Sequence, residues 1–258
     1  MSINEPLLAT AARPARSFAF YLGLAGWNLG MSFAFSASFV TITPLLQSLG
    51  LSYSLSALFW LAGPLSGLIV QPLVGAWSDR VRSRFGRRRV FYVAAGLPLT
   101  VIGMGFLGSA VELGRLLGDT DTAHSNASSI ALASLWSAFV GLNVVGIVGF
   151  ALQLDLCEGE LEAARATSAI TTMGAVGNVA ATALGFVDLT RVVPVASNGQ
   201  ALLYIGLVVF VIASLSTLVL GKEAPLERRP APLPASLGAV VARVRAVPRF
   251  FWSICVVY

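Results

Sequence analysis

The amino-acid sequence predicts an all-α integral membrane protein: a bundle of six transmembrane helices followed by the start of a seventh. Three observations carry this. The chain is 56% hydrophobic and 11% charged, against about 25% charged residues in soluble domains, so too few charges remain to coat a globular surface. Apolar runs of spanning length recur along it, each near the ~20 residues a bilayer requires. Arginine falls in the connectors between those runs. In residues 63–89, GPLSGLIVQPLVGAWSDRVRSRFGRRR, the first half is apolar except for Ser66 and Gln71, and the second half holds six arginines and one aspartate. That junction marks a helix leaving lipid on the cytoplasmic side.

Residues 1–16 form a short polar tail with Arg13 and Arg16. The first apolar run, 17–47, is too long for a signal-peptide core and is expected to be an uncleaved helix, tilted or reaching beyond the lipid. Pro44 and Gly50 punctuate its end, and 48–54 is an uncharged loop. The second helix is expected over 55–77 and the third over 90–111. A polar loop, 112–127, holds Arg115, Asp119 and Asp121. The fourth helix is expected over 128–156, followed by an acidic connector with Glu158, Glu160, Glu162 and Arg165. The fifth is expected over 166–187 and the sixth over 201–220. Residues 221–249 form a basic, Pro-rich linker. The apolar stretch 250–258 is too short to span and reads as the truncated start of a seventh helix, with a C-terminal six-helix bundle missing beyond it.

Placing the N-terminus in the cytoplasm and alternating leaves only Arg115 and Arg191 of the 17 Lys and Arg outside. This is a strong positive-inside bias. A net charge of +5 and a pI near 9.8 therefore serve orientation, and nucleic-acid binding is not expected. Cys157 and Cys255 lie in or beside apolar segments, which implies no disulfide framework. Neither they nor His124 has metal-ligand company, so neither a metal nor a cofactor is expected. No paired carboxylates, nucleophile–base set or phosphate loop points to an enzyme. The sequon at Asn126 lies close to the membrane and is read as a chance match.

Gly75-Ala76-Trp77-Ser78-Asp79-Arg80 followed by Gly86-Arg87-Arg88-Arg89 resembles the signature loop between helices two and three of the major facilitator superfamily. Gly75 would let two helices approach closely, and Asp79, at the lipid boundary, needs a cationic partner. Gly75, Asp79, Arg80, Gly86, Arg87 and Arg88 are thus the expected cytoplasmic gate. The longer wording, with SDR…SRFGRRR, is similar to the plant sucrose–proton symporters and their animal and microbial relatives, the glycoside–cation symporter group. Residues 43–51 (TPLLQSLGL) and 173–185 (MGAVGNVAATALG) resemble that group's first and fifth helices. The resemblance implies a twelve-helix facilitator with solute held between two bundles that rock in alternating access. It implies a secondary transporter for a sugar-like small polar solute, with a proton as the possible coupling partner and the lipid bilayer as its surroundings.

The chain also departs from that group. In the group, the fourth helix carries an aspartate near its middle and an arginine near its end. Here Phe139 and Phe150 stand at those places, while Asp155 matches the terminal aspartate. Val90 replaces the proline after the arginine triplet. Proton-coupled sucrose transport therefore does not follow from the fold. The candidates for lining a cavity are neutral: Trp27 and Asn28 in helix one, Asn143 and Gln153 in helix four, and Asn178 in helix five. Amides and an aromatic suit a neutral polyol, and helix–helix hydrogen bonding suits each residue as well. Gln71 is expected to brace the gate. The alternatives to a transporter are a transport-inactive assembly or regulatory membrane protein, or a nonfunctional fragment.

Overall fold

The computed structural model describes residues 16–223 apart from Arg82, Arg84, Asp121 and Thr122. The tail before Arg16, most of the basic linker and the expected start of a seventh helix lie outside the described residues.

The expected first helix is two pieces, α1 (Phe18–Leu24) and α2 (Gly26–Ser48). They break at Ala25, and the Trp27 N–H, which would normally point back into α1, donates instead to Thr217 Oγ1 at 2.8 Å. That hydroxyl in turn donates to the Leu24 carbonyl at 3.0 Å, so one side chain satisfies both sides of the break. The second helix is also divided, into α3 (Tyr53–Phe59) and α4 (Ala62–Ser78). Pro64 supplies the reason: it lacks the N–H that would bond the Trp60 carbonyl, yet it is tolerated in the first turn of α4.

The third helix opens as α5 (Arg87–Phe91), widens into a π-helical turn (Tyr92–Gly96) and continues as α6 (Leu97–Gly108). A break at Ser109 precedes α7 (Ala110–Leu116). The fourth, fifth and sixth helices are α8 (Ser125–Asp155), α9 (Glu160–Gly185) and α10 (Asn198–Leu220). Asn126 falls in the first turn of α8, with its amide nitrogen donating to the Leu117 carbonyl at 3.1 Å.

Gly26–Ser48, Arg88–Gly108, Ser125–Asp155 and Asn198–Leu220 are long and apolar enough to cross a membrane. Of the six expected spans, the other two are the divided α3–α4 and the less apolar α9. Helix α8 is the centre of the bundle, packed against α4, α6 and the π turn, while α2 packs against α9 and α10. The main core joins Leu24 and Trp27 with Tyr92, Met104, Leu142, Val145 and Phe210. The described bundle has an arginine end, where α4 and α8 finish and α5 begins, and an opposite end around Asp119.

Candidate functional site

At the arginine end, α4 and α8 each finish on an aspartate, Asp79 as the C-cap of α4 and Asp155 as the last residue of α8. A carboxylate there meets the negative end of the helix dipole and needs a cation. Arg88, in the first turns of the third helix, serves both. Its Nη2 lies 2.5 Å from Asp79 Oδ1 and its Nε 3.1 Å from Asp155 Oδ2. Its Nη1 donates to Ser78 Oγ at 2.5 Å. The side chain of Arg88 is 9% exposed, that of Asp155 27% and that of Asp79 51%. A planar guanidinium fork can hold two carboxylates and a hydroxyl at once, which an ammonium cannot do with fixed geometry.

The backbone N–H of Arg88 donates to Glu223 Oε2 at 2.9 Å, and Arg89 Nη2 donates to the Leu218 carbonyl at 2.7 Å. These contacts bring the end of α10 into the same cluster. Gly86 makes the turn possible: its φ is 97°, and a Cβ there would lie 2.6 Å from Glu223 Oε2. A side chain is thus opposed both by conformation and by space. Gly75 is different, since an added Cβ would meet Ile147 Cγ1 at an ordinary 3.8 Å. Close approach does not require glycine at position 75 in this arrangement. The Arg80 N–H donates to the Trp77 carbonyl, and Arg87 begins α5. Glu162, at the same end, accepts from the backbone N–H of Glu158 and then of Arg16. Those bonds hold its carboxyl below the usual carboxylate range.

Further along the bundle, two adjoining cavities form a groove between α2, α4 and α8. One has a volume of about 650 Å³ and is lined by Phe35, Phe39, Trp60, Gln71, Phe139 and Asn143 among others. The second, about 480 Å³, adds Trp27, Met31, Gly146 and Phe150. Phe35, Gln71 and Asn143 line both. Asn143 Oδ1 accepts from Gln71 Nε2 at 2.8 Å, and Asn143 Nδ2 donates to Ser66 Oγ at 3.0 Å and to the Phe139 carbonyl at 2.9 Å. Phe39 stacks on Trp60 with centroids 4.5 Å apart, and Phe35 on Phe139 at 5.1 Å.

Of the five residues expected to line a cavity, Trp27 and Asn143 reach this groove. Gln153 does not. It is fully buried, accepting from Trp27 Nε1 at 3.1 Å and donating to the Ala166 carbonyl at 3.1 Å. It is a brace between α2, α8 and α9. Asn28 donates to the Ile170 carbonyl at 2.7 Å, and Asn178 accepts from Ser36 Oγ at 2.8 Å. Both belong to the α2–α9 seam, where Gly174 leaves room for the Asn28 amide. Sequence reasoning missed Phe35, Phe39 and Trp60 as a group, because aromatics in a membrane helix look alike until packing chooses their faces. Gln71, expected at the gate, instead reaches into the groove.

A family described as PUCC protein matches residues 45–254 of the chain. The chain belongs to this family. Among known proteins it is similar to the sucrose transport protein SUT4 of Oryza sativa subsp. indica, at 32% identity over 220 residues, 77% of this chain and 36% of the relative. It is similar also to the sucrose transport proteins SUC3 (28% over 213 residues, 76% of this chain and 36% of the relative) and SUC4 (35% over 166 residues, 64% and 32%) of Arabidopsis thaliana. The chain spans about a third of the length of the curated relatives it matches. The similarity to these sucrose transport proteins covers most of this chain and a third of theirs, and the four helices long and apolar enough to cross a membrane make it a multi-pass integral membrane protein. The relatives are named as transport proteins, not enzymes.

Proposed function

We propose that this chain is the N-terminal half of a secondary transporter that moves a sugar or similar neutral polyol by alternating access. The observation that carries the proposal is Arg88 joined at once to Asp79 and Asp155. One cation holds the ends of α4 and α8 together beside a groove that those two helices line. Parting the helices at that end breaks the ion pairs, and re-forming the pairs closes it, which is the physical requirement of a gate. The positive-inside bias supports a cytoplasmic position for this end and for the N-terminus.

The groove supports a neutral solute, since aromatic faces and amides line it and no charged side chain does so among the described residues. Helix α9 supports a second bundle. It exposes Thr171, Thr172, Asn178 and Thr182 and is not among the helices apolar enough to cross a membrane by composition alone, although the three threonine hydroxyls donate to carbonyls of their own helix. A second six-helix bundle would complete the solute path, and a coupling proton would be carried there, because Phe139 and Phe150 occupy the places where the group's fourth helix is charged.

The test is counterflow of radiolabelled sucrose, and of a panel of other sugars, in liposomes holding the complete gene product. Saturable exchange of a sugar is expected. No exchange of any sugar, from protein shown to be folded, would remove the transporter reading and leave the assembly or regulatory one.

A further inference from the structure

We propose that Gln71 is the side chain that reads a hydroxyl of the transported solute, with Asn143 as its positioning residue. This rests on the groove being the solute path. The hydrogen bonds around Asn143 have one possible direction. The Phe139 carbonyl can only accept, so the Asn143 amide nitrogen faces it, at 2.9 Å. The same nitrogen donates to Ser66 Oγ at 3.0 Å, and that hydroxyl donates to the Gly63 carbonyl at 2.9 Å. Both N–H groups of Asn143 are then used. Its oxygen must be turned toward Gln71, and Gln71 must answer with its amide nitrogen, at 2.8 Å.

The consequence falls on Gln71. Its nitrogen is held, while its Oε1 and one remaining amide hydrogen have no partner among the described residues. The side chain is exposed and lines both cavities. Asn143, by contrast, is buried with its donors spent. Gln71 therefore presents a fixed acceptor to the groove, between the Phe39–Trp60 stack and the Phe35–Phe139 stack. An acceptor beside flat apolar faces, with no charge nearby, fits a hydroxyl on a ring whose C–H face lies against the aromatics. A site built around such a bond discriminates sharply against an analogue lacking the hydroxyl.

The experiment uses the complete gene product in detergent, with sucrose and its monodeoxy derivatives as probes and calorimetric Kd as readout. Gln71→Leu should weaken sucrose binding about tenfold. One monodeoxy derivative should bind the wild type as weakly as Gln71→Leu binds sucrose, and should not distinguish the two proteins. Gln71→Asn, which keeps the amide but withdraws it by one methylene, should weaken sucrose and spare the same derivative. It provides the comparison should Gln71→Leu fail to fold. Equal binding of sucrose by wild type and both variants overturns the inference, and so does a loss that is uniform across all derivatives, as a purely structural role would give. Failure of the wild type to bind any probe overturns the solute reading itself and takes this inference with it.

Discussion

Replacing Arg88 by alanine is the most direct perturbation of the arginine end. It removes one guanidinium from three partners, so that Asp79 and Asp155, at helix C-termini, no longer share a cation. Breaking a fully buried ion pair costs about 3–5 kcal/mol. Asp79 is half exposed and Asp155 about a quarter exposed, so water and salt recover part of that cost. About 2 kcal/mol is the reasonable remainder, which corresponds to roughly a 30-fold shift in an equilibrium between joined and parted helix ends. The assay is maleimide labelling of Ile147→Cys, a groove position facing Gly75, in a chain whose two native cysteines are serine. Labelling from the arginine side should rise by about that factor in Arg88→Ala. Arg88→Lys should fall between, since a single ammonium cannot bridge both carboxylates in fixed geometry. Unchanged labelling, with the protein still folded, would refute the idea that Arg88 holds α4 to α8.

Three further outcomes are expected. Gly86→Ala should destabilise by about 1–3 kcal/mol, because φ 97° with ψ 158° is a backbone region essentially restricted to glycine, and it would also displace Glu223, whereas Gly75→Ala should be nearly neutral; paired thermal melts compare them. Gln153→Leu should destabilise by about 2–3 kcal/mol, because Trp27 Nε1 and the Ala166 carbonyl lose their partner in a buried site. If it bound solute less well without becoming less stable, Gln153 would be a groove residue after all. At the opposite end, burial acts to raise the pKa of Asp119, but the N–H groups of Ala127 and Asn126 outweigh it and hold the carboxyl below its usual range. A pKa lowered on folding contributes stability that is present above the unfolded value, near 3.9, and lost as pH falls through the folded value. Asp119→Asn should flatten that acid limb of the melting curve and leave melting between pH 6 and 8 independent of pH.

Membrane embedding and the expected orientation follow from composition and from where arginine falls, because lipid penalises every charge and every unbonded backbone group alike. Those rules act on one segment at a time, so they are legible in one dimension. The expected helices overlap the observed ones, but the fifth begins at Glu160 rather than at residue 166, and Ala25, Pro64 and Ser109 bring internal breaks. The Asp79–Arg88 relation was visible as a charge needing a partner. Which arginine, among six, was not visible, nor was Asp155 as the second carboxylate, since α8 meets the loop only in the folded bundle.

The neutral amides show the same division more sharply. Asn28, Asn143, Gln153 and Asn178 are chemically alike in the sequence, and all sit in helices that must bury or pair them. A helix places its side chains all around its axis, and only its neighbours decide which face meets backbone, another helix or a groove. Packing set Gln153 as a brace against Trp27 and Ala166, joined Asn28 and Asn178 to the α2–α9 seam, and left Gln71 open beside Asn143. Solvent, class of fold and family are legible in composition, arginine placement and motif. Tertiary structure alone decided which polar groups were spent on holding helices together and which remained for a ligand, because a hydrogen bond already made within the protein leaves nothing to offer.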